Sequence, residues 1–219
     1  MLKSIQNQMV FLKQCRQRHE TTGSIIASSR FLAKAITRFL ADRSDEPICV
    51  LECGPGTGAF TNRIVRILKP GDVFDLVEVN QSFVEVLQQR FVSEEAWRAV
   101  RELSNIHETP LQDFESVESY DFIISGLPLN NFPPDLVSTI MDTYFRLLKP
   151  TGTLSYFEYM LIRPIRKSVS RGAGGRRIRE VDAVLQPHLQ QCRVARDNVF
   201  LNTPPAWVQH LKLNPETAD

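Results

Sequence analysis

The segment VLECGPGTGAF, residues 50–60, constrains the fold more than any other stretch of this sequence. An apolar run ends at Glu52, and glycines then occupy every second position: Gly54, Gly56 and Gly58. Glycine permits tight turns with positive φ and lets a ligand approach the main chain closely. The segment therefore predicts a buried strand, followed by a ligand-binding loop at the carboxyl end of a parallel sheet.

Strand-like and helix-like segments alternate from residue 47 onward. The strand-like segments are PICVLEC, DVFDLVEVN, NIHETPLQDF, YDFIISGLP, GTLSYFEYML and RVARDNVFLN, and segments such as SFVEVLQQRF, PDLVSTIMDTYFRLL and REVDAVLQPHL have helical apolar spacing. This alternation favours a sheet that is covered by helices on both faces. We predict an α/β fold with a doubly wound, Rossmann-like, mostly parallel seven-stranded sheet and an N-terminal helical extension.

The composition fits one domain with an extension. The 219 residues are 42% hydrophobic and carry a net charge of +1, so the chain can bury a core but has no global field that favours nucleic acid. The four cysteines, Cys15, Cys49, Cys53 and Cys192, lack metal-ligand spacing, and we expect no metal site and a reducing cytoplasmic setting. No apolar run approaches the roughly 20 residues that span a bilayer.

The first segment has the composition of an interfacial helix. Apolar residues recur at positions 2, 5, 9 and 12, and basic residues flank this stripe. We predict an amphipathic helix over residues 1–22 and the main domain over residues 23–219. The same stripe also suits a helix that packs on the domain's own sheet, and the sequence leaves both alternatives open.

The spacing of the glycine loop discriminates between ligands. A dinucleotide fingerprint reads G-x-G-x-x-G, whereas this loop reads E-x-G-x-G-x-G. A carboxylate at Glu52 suits an ammonium or sulfonium group better than a phosphate. Glu78 ends the next strand, where a carboxylate accepts both hydroxyls of a ribose. Asp113 and Phe114 follow the third strand, where they suit an adenine amino group, although an acid at Asp113 alone would more often be a solvated loop acid or a helix cap.

Together these residues resemble the cofactor motifs of class I S-adenosylmethionine-dependent methyltransferases. The resemblance runs from about residue 24 to the end of the chain. It implies S-adenosylmethionine as the cofactor. The cofactor site that it implies is formed at the strand ends by Glu52, Gly54, Gly56, Gly58, Glu78, Val79, Asp113, Phe114 and Ser125.

The resemblance implies that the methyl acceptor binds at the end of the fourth strand, in ISGLPLNNFPP. This segment resembles the N-L-P-Y type motif of ribosomal RNA adenine dimethyltransferases, but Leu129 stands at the aromatic position. A flipped base would lose its stacking platform there, and Phe132 would replace the ring only with a different bend of the loop. We predict that oxygen acceptors near Ser125, Leu127 and Asn130 act as the catalytic groups that orient an amine.

The same segment is more similar to the bacterial phospholipid N-methyltransferases, relatives of the RNA dimethylases. TGSIIASSRFLAKAI and NVFLNTPPAWVQHL resemble two further segments of that family. The resemblance implies stepwise N-methylation of phosphatidylethanolamine, or methylation of the amine of an ornithine lipid. The predicted headgroup residues are Pro128, Tyr156, Tyr159, Arg163 and Arg166, among which arginine and tyrosine would hold a phosphate or carboxylate.

Seven cations without an acid lie between Glu158 and Glu180. They are Arg163, Arg166, Lys167, Arg171, Arg176, Arg177 and Arg179, and glycines at 172, 174 and 175 predict a mobile loop. Such a cluster would attract anionic headgroups at about 1 kcal/mol per cation, but it would equally attract RNA phosphates. We expect an anionic membrane surface with its aminolipid as the partner, no nucleic acid, and a monomer peripheral on the inner face of the cell membrane.

Other functions and roles stay open at this point. The alternatives are a ribosomal RNA adenine N6-methyltransferase, a small-molecule amine methyltransferase and a non-catalytic binding module that keeps the fold. Glu158 and His19 are candidate general bases on chemistry alone, although a structural Glu158 and a surface His19 are favoured. We expect Cys53 to be a small strand-end residue, and Trp97 and Trp207 to be packing residues, with Trp207 also a candidate for the acceptor wall.

Overall fold

The computed structural model describes residues 30–160 and 173–213. The predicted helix over residues 1–22, the predicted headgroup residues Arg163 and Arg166, and His19 lie outside the described residues, so these predictions and the domain division stay predictions. Within the two described ranges, no helix is both long enough and apolar enough to cross a membrane.

The described elements alternate in the predicted manner. The strands are β1 (Cys49–Cys53), β2 (Val73–Val77), β3 (Ser104–His107), β4 (Tyr120–Ser125), β5 (Leu148–Tyr159), β6 (Arg193–Val199) and β7 (Ala206–Lys212). The helices are α1 (Arg30–Ile36), α2 (Arg38–Ala41), α3 (Thr61–Ile64), α4 (Gln81–Ser93), α5 (Glu95–Arg98), α6 (Pro134–Leu147) and α7 (Ala173–Cys192). Single 3₁₀ turns lie at Arg101–Leu103, Leu111–Asp113 and Leu129–Asn131.

The seven strands form one mixed sheet in the order β3-β2-β1-β4-β5-β7-β6. Strands β1 to β5 are parallel, whereas β7 runs antiparallel to both β5 and β6. The predicted doubly wound, Rossmann-like, mostly parallel seven-stranded sheet is confirmed. Since β1 pairs with β2 on one side and β4 on the other, the strand order reverses there, and ligands bind beside the carboxyl ends at such a point.

Alternate side chains of the central strands pack into two separate cores. Leu51, Ile123 and Leu154 face a core formed with α6 and α7. Val50 and Ile124 face the other core, formed with α1 to α5. This burial on both faces explains why the strand segments are near-continuous apolar runs in the sequence.

Two helices differ from the sequence prediction. The helix predicted over SSRFLAKAITRFLADR is interrupted at Thr37, whose hydroxyl donates to the Ala33 carbonyl at 2.7 Å and competes with regular helical bonding. Helix α7 begins at Ala173 and contains Gly174 and Gly175. The C-terminal part of the predicted mobile glycine loop is therefore helical.

The C-terminal end of the sheet is a β6–β7 hairpin rather than one strand around RVARDNVFLN. Because β7 is antiparallel to β5, its first residue, Ala206, pairs with the last residue of β5, Tyr159. The Met160 amide also donates to the Pro205 carbonyl at 2.9 Å. These bonds place the hairpin turn at the carboxyl edge of the sheet, the edge that carries the glycine loop.

Candidate cofactor and acceptor site

The loops that follow β1 and β4 are bonded to each other at the carboxyl edge. The Gly54 amide donates to the Val77 carbonyl at 2.9 Å, and the Gly126 amide donates to the Cys53 carbonyl at 2.8 Å. The first bond joins the glycine loop to the end of β2, and the second joins the acceptor loop to the end of β1. The structure therefore brings the predicted cofactor and acceptor segments together.

The glycine loop requires glycine for both conformation and space. Gly54, Gly56 and Gly58 have φ angles of 66°, 60° and 87°, a region that side chains disfavour. A Cβ atom on Gly54 would lie 2.5 Å from the Leu127 side chain, and one on Gly58 would lie 2.4 Å from the Trp97 ring. The loop is thus packed tightly between the acceptor loop and α5.

Glu52 is a fully buried acid beside this loop. Its Oε2 accepts a hydrogen bond from the Thr61 hydroxyl at 2.7 Å. Its Oε1 has no hydrogen-bond partner in the part of the chain that the structure describes. Burial raises the pKa of Glu52 to about 8, and the bond from Thr61 opposes this rise. A buried acceptor with unused capacity suits a ligand that brings a cationic group.

Glu78 directs both carboxylate oxygens into the same loop region. Oε2 accepts from the Gly56 amide at 3.0 Å, and Oε1 accepts from the Asn80 amide at 3.0 Å. The residue is buried at the end of β2. These two bonds fix the orientation of a carboxylate that can accept further bonds from hydroxyl groups, and its role as the ribose acceptor stays a prediction.

The predicted adenine side is formed by the segments after β2 and β3. Val79 is half-buried next to Glu78, and Asp113 is exposed at the end of a 3₁₀ turn. Phe114 is buried, and its ring centroid lies 4.8 Å from that of His107. The placement is compatible with adenine recognition, and the individual roles of these residues stay predictions.

The acceptor turn begins with a buried hydroxyl pair. The Ser125 hydroxyl lies 2.5 Å from the Tyr144 hydroxyl and accepts from the Leu127 amide at 3.2 Å. A Cβ atom on Gly126 would lie 2.6 Å from the Gly54 carbonyl oxygen. Glycine at position 126 thus lets the two loops touch. The Ser125 side chain fixes this turn, and its contact with a substrate or cofactor stays a prediction.

No aromatic ring is exposed in the acceptor loop over residues 125–132. Leu129 and Phe132 are 1% and 2% exposed and pack in the core, so Phe132 does not replace the missing stacking ring. Asn130 is also buried, whereas Leu127 and Pro128 are half-buried at the surface of the loop. The catalytic roles of Leu127 and Asn130 and the headgroup role of Pro128 stay predictions.

Arg177, one member of the basic cluster, has a structural partner in this loop. Its guanidinium donates from α7 to the Phe132 carbonyl at 3.2 Å and to the Asn131 carbonyl. It therefore supports the acceptor loop from α7. Arg179 is exposed on the same helix.

The end of β5 contains the remaining predicted headgroup residues. Tyr156 is fully buried in the core, whereas Tyr159 is half-buried and its ring packs 5.2 Å from that of Phe157. Burial raises the pKa of Tyr159. Glu158 is buried and accepts from the Gln209 amide at 3.3 Å, an arrangement that fits a structural carboxylate. Of the two tyrosines, Tyr159 is the one that a headgroup could reach.

Two supporting residues were missed in the sequence. Arg90 of α4 donates to the Thr57 carbonyl at 2.6 Å, pairs with Glu94 at 2.6 Å and stacks 4.1 Å above the Trp97 ring. It thereby clamps the glycine loop. Tyr144 of α6 holds Ser125 as described above. The spacing of Arg90 and Glu94 signalled a helical ion pair, but no local signal connects α4 with the loop or α6 with the acceptor turn.

These residues fit S-adenosylmethionine. The glycine loop leaves no room for Cβ atoms at Gly54 and Gly58. Oε1 of Glu52 is a buried acceptor without a partner among the described residues, where the cationic methionine end would lie. Glu78 offers an oriented carboxylate for the ribose hydroxyls. Asp113 and Phe114 lie at the neighbouring strand end for the adenine.

Comparison with known proteins shows the family of this chain. The chain matches the methyltransferase domain family over residues 24–186. It is 27% identical over 155 residues to an ornithine lipid N-methyltransferase of Singulisphaera acidiphila, across 69% of this chain and 77% of that protein. It is also 27% identical over 163 residues to ribosomal RNA small subunit methyltransferase A of Pseudomonas fluorescens, across 72% of this chain and 52% of that protein.

Solved structures share the fold at low sequence identity. The N-methyltransferase NodS of Bradyrhizobium japonicum, in complex with S-adenosylhomocysteine, superposes with a TM-score of 0.60 at 18% identity, across 85% of this chain and 89% of that one. The glycopeptide N-methyltransferase MtfA, complexed with S-adenosylmethionine, gives 0.62 at 12% identity, across 83% and 94%. The chain therefore belongs to the methyltransferase domain family, and it is an S-adenosylmethionine-dependent methyltransferase.

Proposed function

We propose that this enzyme N-methylates the amine headgroup of a membrane aminolipid: phosphatidylethanolamine and its methylated forms, or an ornithine lipid. The acceptor loop carries this proposal, because over residues 125–132 it exposes no aromatic ring on which a base would stack. A small aliphatic amine needs no such platform. The similarity to an ornithine lipid N-methyltransferase supports the same substrate class.

The chain's own residues act chiefly by positioning. S-adenosylmethionine, when bound, supplies an electrophilic methyl group on a sulfonium. The glycine loop and the acceptor loop touch through Gly54 and Gly126, so an amine held at the acceptor turn lies beside the cofactor loop. The amine must be neutral to attack, so its ammonium proton passes to bulk water before the headgroup reaches the acceptor turn. Close packing of the two loops fixes their separation, so an amine at the acceptor turn is held in one geometry relative to the cofactor loop.

The partner and location follow from the lipid substrate. We propose that the protein is peripheral on an anionic membrane, at the inner face of the cell membrane, without a nucleic-acid partner. The apolar, basic composition of residues 1–22 and the arginines that include Arg163 and Arg166 support electrostatic attraction to that surface. A monomer remains our expectation.

The second candidate is methylation of adenine N6 in ribosomal RNA. The similarity to ribosomal RNA small subunit methyltransferase A favours it, although the chain covers only 52% of that protein's length. The basic cluster would suit RNA phosphates as well. The buried positions of Leu129 and Phe132 count against it, because the flipped base would find no exposed ring in the acceptor loop.

Methyl transfer from labelled S-adenosylmethionine distinguishes the two candidates. Parallel reactions contain anionic vesicles with phosphatidylethanolamine or ornithine lipid, and unmodified ribosomal RNA. We expect label in the lipid phase, and thin-layer separation then identifies the headgroup and the number of methyl groups. Glu78→Ala is the matched control that removes the predicted ribose acceptor. Label in the RNA and none in either lipid would overturn the proposal.

A further inference from the structure

The turn of the β6–β7 hairpin exposes two adjacent apolar side chains. Phe200 and Leu201 are each 70% exposed. The polar Asn202 beside them is buried, and its amide donates to the Pro204 carbonyl at 2.7 Å. Turns in water normally show the opposite arrangement, with polar residues outward. This turn is held from inside by its polar residue while its apolar side chains point outward.

Phe31 extends the apolar surface onto α1. Its ring is 39% exposed and lines a groove of about 580 Å³ together with Phe200 and Leu201. We call these three residues the hairpin face. Two large aromatic side chains and a leucine that share one exposed surface are typical of an interaction site, whereas isolated exposed apolar residues are ordinary.

Cations surround the hairpin face. Arg30 and Lys34 are exposed on α1, and Arg63 lines the groove beside them. Within the described ranges none of these three residues forms an ion pair. Their charges therefore remain available to an anionic partner.

The acids of the same groove are fewer and partly neutralised. Asp197 lies 3.2 Å from the guanidinium of Arg38 and also bonds the buried His210. Asp42 is the other acid that lines the groove. An apolar face with a net basic surround complements the interface of an anionic bilayer, where apolar side chains enter and cations meet the headgroups.

The hairpin face lies on the same edge of the sheet as the acceptor loop. The position of the hairpin turn follows from the pairing of Tyr159 with Ala206, which places the end of β5 beside the start of β7. The acceptor loop follows β4, the parallel neighbour of β5. A membrane that contacted the hairpin face would therefore lie at the edge where a headgroup must reach the acceptor turn.

We infer that the hairpin face inserts into the interface of an anionic membrane and docks the enzyme with its acceptor edge toward the lipid headgroups. The inference rests on the proposed function, to which it adds a docking surface formed by described residues. The proposed partner is an anionic bilayer, because the hairpin face combines exposed apolar side chains with neighbouring cations. The interface of such a bilayer accepts both, since apolar side chains enter it and cations meet its headgroups.

A tryptophan at the tip reports insertion directly. Phe200→Trp is mixed with vesicles of phosphatidylglycerol and phosphatidylethanolamine that contain brominated acyl chains, which quench nearby indole fluorescence. The matched control is Val117→Trp, because Val117 is also fully exposed but precedes β4 at the opposite edge of the sheet. The wild-type protein gives the background from Trp97 and Trp207. We expect quenching of the tryptophan at 200 and none at 117.

The double variant Phe200→Ser, Leu201→Ser measures the contribution to affinity. We expect at least about a tenfold loss of vesicle binding, because two exposed apolar groups no longer enter the interface, with S-adenosylhomocysteine binding unchanged. Equal quenching at positions 200 and 117, or unchanged vesicle binding, would overturn the inference. So would shielding of the tryptophan at 200 from iodide without vesicles, since this chain or a second copy would then cover the face.

These measurements need no methyl transfer, so they are independent of the substrate assay. If the tip inserts but no lipid is methylated, the proposed function fails while the docking surface stands. If lipid is methylated while the fluorescence of the tryptophan at position 200 is not quenched, the docking surface is refuted and the substrate assignment stands.

Discussion

Replacement of Glu52 by glutamine tests the electrostatics of the cofactor loop in the free enzyme. Glu52 is fully buried, one of its oxygens has no partner among the described residues, and burial raises its pKa from 4.5 to about 8. Each pKa unit corresponds to about 1.4 kcal/mol. The ionised form therefore costs about 5 kcal/mol in the folded protein relative to the unfolded chain.

The sign of the pH dependence follows from proton binding. Between pH 4.5 and about 8 the folded state keeps the Glu52 proton while the unfolded chain has lost it. The contribution of this group to stability is thus complete below pH 4.5, and it is lost as the pH rises through about 8. In that window, wild-type stability decreases by about 1.4 kcal/mol per pH unit from this group. Glu52→Gln cannot ionise and lacks this decrease.

Urea unfolding followed by intrinsic fluorescence, repeated from pH 5 to 9, measures the difference. We expect Glu52→Gln to gain free energy of unfolding relative to wild type as the pH rises, by about 4 kcal/mol between pH 5 and 9. Thr61→Val is the companion variant: loss of its hydrogen bond raises the pKa of Glu52 further, so the decrease should extend to higher pH. A constant difference between Glu52→Gln and wild type at every pH would refute the reasoning.

Three further predictions follow from the same structure. Glu78→Ala should weaken S-adenosylhomocysteine binding in calorimetry by about 1–3 kcal/mol, because it removes the predicted ribose acceptor; unchanged affinity would mean that the motif is assigned wrongly. Gly126→Ala should lower the free energy of unfolding by about 1–3 kcal/mol, since the new Cβ would lie 2.6 Å from the Gly54 carbonyl oxygen; wild-type stability in urea would show that the loops separate freely. Burial lowers the pKa of His210 despite its bond to Asp197, so the unfolded chain takes up this proton first as the pH falls below 6.5, and stability should decrease there. His210→Gln should show a smaller decrease in acid urea titrations, and an identical decrease would exclude His210 as the cause.

The sequence was sufficient to predict the sheet and the cofactor. Near-continuous apolar strands alternate with amphipathic helices. The hydrophobic pattern of each segment reflects how that segment is buried, so it can be recognised without knowledge of the other segments. The glycine loop could also be predicted, because the positive φ angles at Gly54, Gly56 and Gly58 favour glycine, and the spacing of these glycines is evident in the sequence. Glu52 and Glu78 could be placed at the carboxyl edge because each lies within one residue of the end of a strand.

The tertiary structure alone decided what surrounds those residues. Arg90 reaches the glycine loop from α4, and Tyr144 reaches Ser125 from α6, through contacts between segments far apart in the chain. The composition of a segment does not record such pairings. Likewise, the sequence showed Phe132 as a candidate stacking ring, and only the packing of the acceptor loop buries it.

The exposed surface also shows the difference between what the local sequence predicts and what tertiary packing decides. In the sequence Phe200 and Leu201 are the apolar end of a strand, a pattern that normally predicts burial. The hairpin instead turns after Val199, pairs β7 with β5, and leaves both side chains in solvent while Asn202 is buried. Local sequence determined the strands and the loop chemistry, because hydrophobicity and φ preference are properties of single residues. Which side chains meet, and which remain exposed, depends on how the strands pair, and that is decided only when the whole sheet has formed.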